Sequence, residues 1–229
     1  MEIGEINRVK ARTRWNLIHS CEELLIQHNK KGKEHLKARV HGYLCGDGSV
    51  SMRKEKGRPC STHADIRFYP DHKSLIQPFV EAFCRIYVKK PTIRDLGAYY
   101  SLTVTSMIVA RDLLADGSMT SMGWRVPDWV IGSERNSQEW LRAFFDCEAY
   151  VGKKDLRVQS VNLQGLRQIA CMLRRFGITS REYSYQRKQR GWNTNYHLVI
   201  AKHEDRKAFL NLIGFNHVGK LRKLFAEVT

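Results

Sequence analysis

The sequence predicts an α+β protein made of two pseudo-symmetric αββαββα repeats, each with an antiparallel four-stranded sheet. Three observations lead there. First, Val40-His-Gly-Tyr-Leu-Cys-Gly-Asp-Gly-Ser49 reads as a helix with Gly42 and Gly46 on one face, running into Asp47. Gly48 can take the positive φ that ends a helix. Second, about a hundred residues on, Leu141-Arg-Ala-Phe-Phe-Asp-Cys-Glu-Ala-Tyr150 repeats the pattern, with Ala143 and Cys147 in the small-residue places and Glu148 in the place of Asp47. Third, the segments after each motif alternate strand and helix in the same order.

Taken along the chain, Asn16 to Gln27 reads as an amphipathic helix. A basic stretch at 30–33 leads into the first motif helix from about Glu34. Ser49 to Lys54 alternates as a strand, Glu55 to Ser61 reads as a charged turn, and Thr62 to Tyr69 alternates again, with Ala64, Ile66 and Phe68 on the core side. Pro70-Asp71 opens a helix through about Val88. Lys89 to Leu96 and Ala98 to Thr105 form a hairpin around Gly97, and Met107 to Ala115 a short helix. The first repeat is thus assigned to 1–116, and 117–136 to a linker whose Trp124-Arg-Val-Pro-Asp-Trp129 reads as an anchored extended segment.

The second repeat, 137–229, begins with the second motif helix, capped by Asn136 or Ser137. Strands over Tyr150 to Lys154 and Leu156 to Val161 follow. A helix spans Leu163 to Phe176, a hairpin turns around Arg190-Gly191, and two helices run over Glu204 to Ile213 and Lys220 to Val228.

Composition narrows the function. The chain has 229 residues, 42% of them hydrophobic, and a formal charge of +16. That excess suits a polyanion. Nucleic acid fits better than a membrane surface, because the basic residues lie in strand-like segments with aromatics between them. No apolar run approaches a membrane span, and the first residues do not read as a signal peptide. The six cysteines contain no Cys-x-x-Cys pair, hence no zinc-ligand spacing. Their apolar settings fit plain thiols in a reducing, intracellular compartment, cytoplasmic in a prokaryote or organellar in a eukaryote. Phosphate-cradling Gly-rich loops and nucleophile elbows are absent.

An Asp-Gly pair alone is usually a turn. Here small residues at 42, 46, 143 and 147 let two helices approach, so two carboxylates meet where both helix dipoles are already negative. Such a pocket calls for a cation, and hard oxygen donors suit Mg²⁺ or Mn²⁺. Metal-bound carboxylates beside a basic surface suggest phosphodiester hydrolysis.

At both motifs the chain resembles single-chain LAGLIDADG homing endonucleases. Residues 40–48 and 141–149 match the family motif, with Cys45 at the sixth place of the first copy, Asp146 at that of the second, and Ala149 at its ninth. The resemblance implies that each sheet is curved and that the pair forms a DNA-binding saddle. It implies a monomer that cuts both strands of an asymmetric duplex, with Asp47 and Glu148 as metal-binding catalytic acids and Gly46 and Cys147 beside them at the metal. Asp146 is read as a structural helix-end residue. Phe215-Asn-His-Val-Gly-Lys220 resembles the family's C-terminal pattern and makes Lys220 the basic residue near the attacking water. The matching stretch of the first repeat, near Trp124, has no lysine; Lys54, Lys153 and Lys154 are its alternatives.

The binding surface is expected on the non-core strand faces. In the first sheet these carry Ser51, Arg53, His63, Asp65, Arg67, Arg94, Tyr99 and Thr103. In the second they carry Arg157, Gln159, Arg181, Tyr183, Tyr185, Arg187, Asn195 and His197. Arg, Gln and Asn can read base edges in a major groove, while Lys and Tyr hold phosphates. Lys54 and Arg58, Lys153 and Lys154, and Lys188 and Arg190 extend the contact at loop tips. The rival readings are an RNA maturase acting on a host intron and a catalytically silent DNA-binding regulator. A nuclease embedded in a self-splicing protein is set aside because the chain ends Ala-Glu-Val-Thr.

Overall fold

The computed structural model describes residues 3–55, 58–186 and 193–229. The α+β expectation holds: two four-stranded antiparallel sheets share one topology. In the first half α2 (Glu34–Asp47) runs directly into β1 (Gly48–Glu55) and β2 (Arg58–Phe68), followed by α3 (Ile76–Tyr87), β3 (Thr92–Asp95), β4 (Tyr100–Thr105) and α4 (Met107–Leu114). In the second, α6 (Glu134–Glu148) leads to β5 (Tyr150–Val151), β6 (Leu156–Ser160), α7 (Leu163–Arg175), β7 (Arg181–Tyr185), β8 (Asn195–Ile200) and α8 (His203–Leu212). The strand orders, β1-β2-β4-β3 and β5-β6-β8-β7, are the same. Three helices stand outside the repeat: α1 (Ile3–Lys30), α5 (Asp128–Ile131) and α9 (Val218–Val228).

Period-2 alternation divides each sheet. Val50, Ile66 and Val104 face one another across three strands, Phe68 pairs with Leu102 across two, and all lie against the helices. In the second sheet Leu156 pairs with Ile200, and Val158 with Leu198. The helices close the core with bulky rings: Tyr43 packs on Phe68 at 5.0 Å, and Trp140 stacks on Phe144 at 5.0 Å. Among the described residues, no helix is long and apolar enough to cross a membrane.

Several boundaries differ from expectation. Helix α1 covers 28 residues, well beyond Asn16 to Gln27, because no glycine or proline interrupts it between Glu5 and Lys30, and it stops before Gly32 turns at φ 71°. Its first half lacks an apolar stripe, so periodicity marked only the rest. Strands β1 and β2 continue into the stretch read as a charged turn. Helix α6 starts earlier than expected, with the Ser133 hydroxyl accepting from the Asn136 N–H, while Ser137 instead donates to the Val130 carbonyl at 2.9 Å.

The segment before α6 is held throughout. Trp124 and Val126 are buried, and the Gln168 amide pairs with both backbone groups of Val126 at 2.9 and 3.0 Å. The Trp129 indole donates to Asp116 at 2.9 Å.

Candidate active site

The site is made by the contact of α2 with α6. A Cβ built on Gly42 would lie 2.6 Å from the Trp140 carbonyl oxygen and 3.0 Å from Ala143 Cβ. One on Gly46 would lie 2.5 Å from Cys147 Cβ. Two backbones therefore touch where glycine leaves room. Trp140 also donates its indole N–H to His41 Nδ1 at 2.9 Å inside the interface, and burial holds that imidazole down at about 3, hence neutral.

Both helices end at this crossing, so Asp47 and Glu148 converge at the base of the two sheets. Burial pushes Glu148 up to about 7, the charge on Asp47 adds to the shift, and Lys220 opposes it. Asp47 is raised as well, first by burial and then by Asp71, with Lys220 again opposing. Two desolvated like charges beside two negative helix ends cost free energy that a divalent cation would relieve.

The donor set fits Mg²⁺ or Mn²⁺. Mg²⁺ retains waters and takes one or two protein carboxylates, its remaining ligands coming from substrate phosphates. Among the described residues, no group of three or more His, Cys, Asp or Glu could hold a metal by itself. Gly46 and Cys147 can contribute only backbone carbonyls to a hard cation. That of Cys147 already accepts from Lys220 Nζ at 2.7 Å.

Lys220 reaches the site because the start of α9 is pinned between the repeats. The Asp146 carboxylate, fully buried, accepts from the backbone N–H groups of Asn216 and His217 at 2.8 and 2.9 Å and from the Tyr43 hydroxyl at 3.0 Å. Ser74 of the first repeat accepts from the Val218 N–H at 3.2 Å. His217 caps α9 by accepting from the Lys220 N–H on Nδ1, leaving Nε2 to face Asp71 at 3.5 Å. That hydrogen bond holds Asp71 below the usual carboxylate range. The Lys220 ammonium then donates to the carbonyls of Asp146 and Cys147 at 2.5 and 2.7 Å, neutralising the C-terminus of α6.

Glu148 borders two unlike clefts. One, of about 370 Å³, also contains Asp71, Arg157, Gln159 and Lys220. The other, of about 240 Å³, contains Ser121, Trp124, Gln159 and Asn195, and no lysine or arginine. Of the lysines considered as a partner for Lys220, Lys153 and Lys154 are exposed in the β5–β6 turn. Lys54 pairs with Thr62 on the side of the sheet that carries Met52 and Ala64. None of the three lines either cleft.

The sheet faces gather most of the expected binding residues. Register puts Ser51, Arg53, His63, Asp65, Arg67, Thr103 and Arg94 on one face of the first sheet. Tyr99 stands at its rim against Tyr69, with ring centroids 6.1 Å apart. A cleft of about 670 Å³ there is lined by Arg67, Lys89, Lys90 and Arg94 and by no carboxylate. In the second sheet, register likewise aligns Arg157, Gln159, Arg181, Tyr183, Tyr185, Asn195 and His197. Arg187, Lys188 and Arg190 lie outside the described residues, as does the side chain of Arg58.

Two of these residues lie below the surface of the face. Asp65 is buried and accepts from Arg67 at 3.0 Å and Thr105 at 3.3 Å, with His63 Nε2 at 3.0 Å. It orders the basic face from beneath, because its short side chain is covered by its longer neighbours. Asn195 is also buried and faces the cleft beside Glu148. Sequence reasoning missed Asp71 and His217 as site residues. Their only signal was adjacency to Pro70 and to the Phe215–Lys220 pattern, since tertiary packing alone brings them together.

Comparison with known proteins agrees with this geometry. Residues 136–214 match the model of the LAGLIDADG-like domain. The replication factor C small subunit of Thermococcus kodakarensis is 37% identical over 186 residues, covering 80% of this chain and 20% of that protein. Glutamine–fructose-6-phosphate aminotransferase of Methanocaldococcus jannaschii is 23% identical over 194 residues, covering 82% of this chain and 17% of that protein. The chain thus spans about a fifth of the length of these curated relatives. Among solved structures, I-DmoI in complex with DNA and Mn superposes with a TM-score of 0.63 at 18% identity, over 80% of this chain and 97% of that one. Full-length DUF199/WhiA from Thermatoga maritima superposes at 0.55 with 12% identity, over 92% of this chain and 66% of that one. At these identities the likeness is one of fold.

Two outcomes follow from the crossing and its acids. Gly42→Ala should lower stability by about 1–3 kcal/mol, because the obstacle is backbone. Gly46→Ala should be partly restored by adding Cys147→Gly, since its obstacle is a side chain. Denaturant unfolding of the single and double variants checks both. Separately, Glu148 loses its proton near 4.5 when unfolded and near 7 when folded. Its stabilising contribution is complete below pH 4.5 and is lost as pH rises to 7. The metal-free protein should therefore lose stability relative to Glu148→Gln across that window, on the order of 3 kcal/mol. Unfolding curves that run parallel with pH would exclude the burial.

Proposed function

We infer that this chain, a two-motif protein of the LAGLIDADG fold, is a sequence-specific DNA endonuclease. It would hydrolyse one phosphodiester in each strand of a long asymmetric duplex site, with Mg²⁺ or Mn²⁺. The observation that carries this reading is the meeting of Asp47 and Glu148 at the crossing of α2 and α6, directly below two sheets whose outer faces carry arginine and tyrosine. The I-DmoI complex with DNA and Mn, built on the same fold, supports both the partner and the metal. The curated relatives add support of another kind. Their names describe unlike chemistries, yet about four-fifths of this chain matches a fifth or less of each. A segment shared by unlike proteins behaves as one carried between genes, the habit expected of a homing nuclease. It also removes the ground for setting aside a nuclease carried within a longer protein.

The division at 1–116, 117–136 and 137–229 then gives each repeat one half-site, and both motifs in one chain suit a monomer. The faces differ: Arg53, His63 and Arg67 on one sheet oppose Arg157, Gln159 and His197 on the other. Unlike faces suit an asymmetric target on the order of two helical turns long.

In the reaction, Asp47 and Glu148 would hold the cation between them, each ionised once it is bound. The bound cation supplies activation of water and stabilisation of the leaving 3′-oxygen. Lys220 spends two protons on the carbonyls of α6 and keeps a third for a phosphate oxygen or the attacking water. Asp65 holds Arg53 and Arg67 toward the groove, so fewer rotamers are lost on binding.

Asp47→Asn and Glu148→Gln should each abolish cleavage of a target-bearing plasmid while leaving duplex affinity within a few-fold. Loss of binding in both variants, with the fold intact, would sink this division of labour, and unimpaired cutting would point to other catalytic groups. Because only one cleft holds a lysine, Lys220→Met should slow one strand on the order of a hundredfold and the other far less. Nicked plasmid would accumulate, and strand-specific end labels would record the bias. Equal slowing of both strands would place Lys220 outside the half-site chemistry.

A further inference from the structure

We propose that the N-terminal half of α1 is a second DNA-binding element, which grips the phosphate backbone of the duplex beyond the edge of the first sheet. The proposal rests on the DNA-binding reading above and extends it to a segment that the saddle does not include.

The first half of α1 has no packing reason to be a helix of this composition. Every described residue from Val9 to Ile18 is exposed, and burial begins only at His19. Between Ile6 and Cys21 there is no Asp or Glu, while Arg8, Lys10, Arg12 and Arg14 fall within a few residues. Lys10 and Arg14, four apart, share a helix face. Lys10, Arg12 and Arg14, exposed on one helix, repel one another, so this half is less stable alone than beside a polyanion.

The second half fixes where the first half stands. Ile26 is buried, Asn29 donates to the Ile86 carbonyl at 3.4 Å, and Lys30 pairs with Asp112 at 2.5 Å. Lys89 ties α1 to the sheet by pairing with Glu22 at 2.5 Å. It also lines two adjoining clefts. One is the arginine-lined concave face that holds Arg67 and Arg94. In the other, Trp15 and His19 of α1 meet Thr62 and His63 of β2. The basic face therefore continues from the sheet, past Lys89, to the exposed turns of α1. Glu22, the one carboxylate lining the second cleft, is already neutralised by Lys89.

Reach matches a duplex. Twelve helical residues extend about 18 Å, close to half a turn of B-form DNA, or about five base pairs. Cations spread over that length suit phosphates, and Asn16 is the one amide side chain between Lys10 and Ile18, so the contact should be largely indifferent to sequence. An exposed apolar stripe farther along the helix, Leu17, Leu24 and Leu25, would instead suit a protein partner. It offers nothing that selects one, whereas the charge selects a polyanion.

The test measures anisotropy of a labelled 40-base-pair duplex of mixed sequence against KCl, on the full chain. Lys10→Gln/Arg12→Gln/Arg14→Gln should weaken binding at least tenfold near 100 mM salt. It should also flatten the slope of log affinity against log salt by about 2 to 3, at about 0.9 per lost phosphate contact. A control that removes charge elsewhere, Arg174→Gln/Lys207→Gln, should move both quantities far less; these residues are exposed on α7 and α8. Circular dichroism on both variants confirms the helix content. An unchanged slope in the helix variant overturns the proposal, as does an equal loss in the control, which would mean net charge alone. A shift in sedimentation with an unchanged slope also overturns it, in favour of a protein interface. Failure of the unaltered protein to bind any duplex would instead refute the DNA-binding reading beneath it.

Discussion

The approach of α2 to α6 governs the rest of the molecule. The backbone of α6 reaches Gly42 and the Cys147 side chain reaches Gly46, so the two helices can end within one small volume. Each end carries a partial negative charge and a carboxylate, and both acids are desolvated enough to rise above their ordinary values. A larger residue at either glycine would part the helices and relieve that electrostatic cost, and with it would go the joint site. Local stability is thus given up for a place that attracts a cation.

The same crossing imposes an asymmetry on a protein that is otherwise nearly symmetric. Asp146 gathers the backbone of Asn216 and His217, and through them anchors the helix that delivers Lys220. The matching place on α2 is Cys45, whose thiol touches Met119 at 3.4 Å and cannot gather two N–H groups. With a thiol in place of the carboxylate, one side has a lysine and the other an uncharged lining of Ser121, Trp124, Gln159 and Asn195 around Glu148. On the proposed function, the two strands of a duplex would meet different surroundings.

Much of this was legible in the sequence. Period-2 alternation assigned residues such as Arg67 and Gln159 to the outer faces, because the pleat leaves each side chain only two directions. Small residues spaced by four marked the helix contact for a similarly local reason. Depth was not legible: alternation assigned Asp65 to a face but could not show that longer neighbours would bury it. Nor was the company of Lys220, since Asp71 lies 149 positions from it in sequence and meets it through the docking of α9. The start of α6 is not legible because Ser133, Asn136 and Ser137 are all competent caps, and which one serves depends on how α5 packs. The first half of α1 is not legible either, because it is basic and carries no apolar period.

On the proposed function, two converging carboxylates make this basic α+β fold a metal-dependent nuclease. The most direct measurement is incubation of a randomised duplex library with the protein in Mg²⁺, against a chelator control, followed by sequencing of the ends. Cleavage by the two carboxylates predicts one long asymmetric motif with staggered breaks, recovered only with the metal. Recovery of no motif, or equal recovery in chelator, would contradict it.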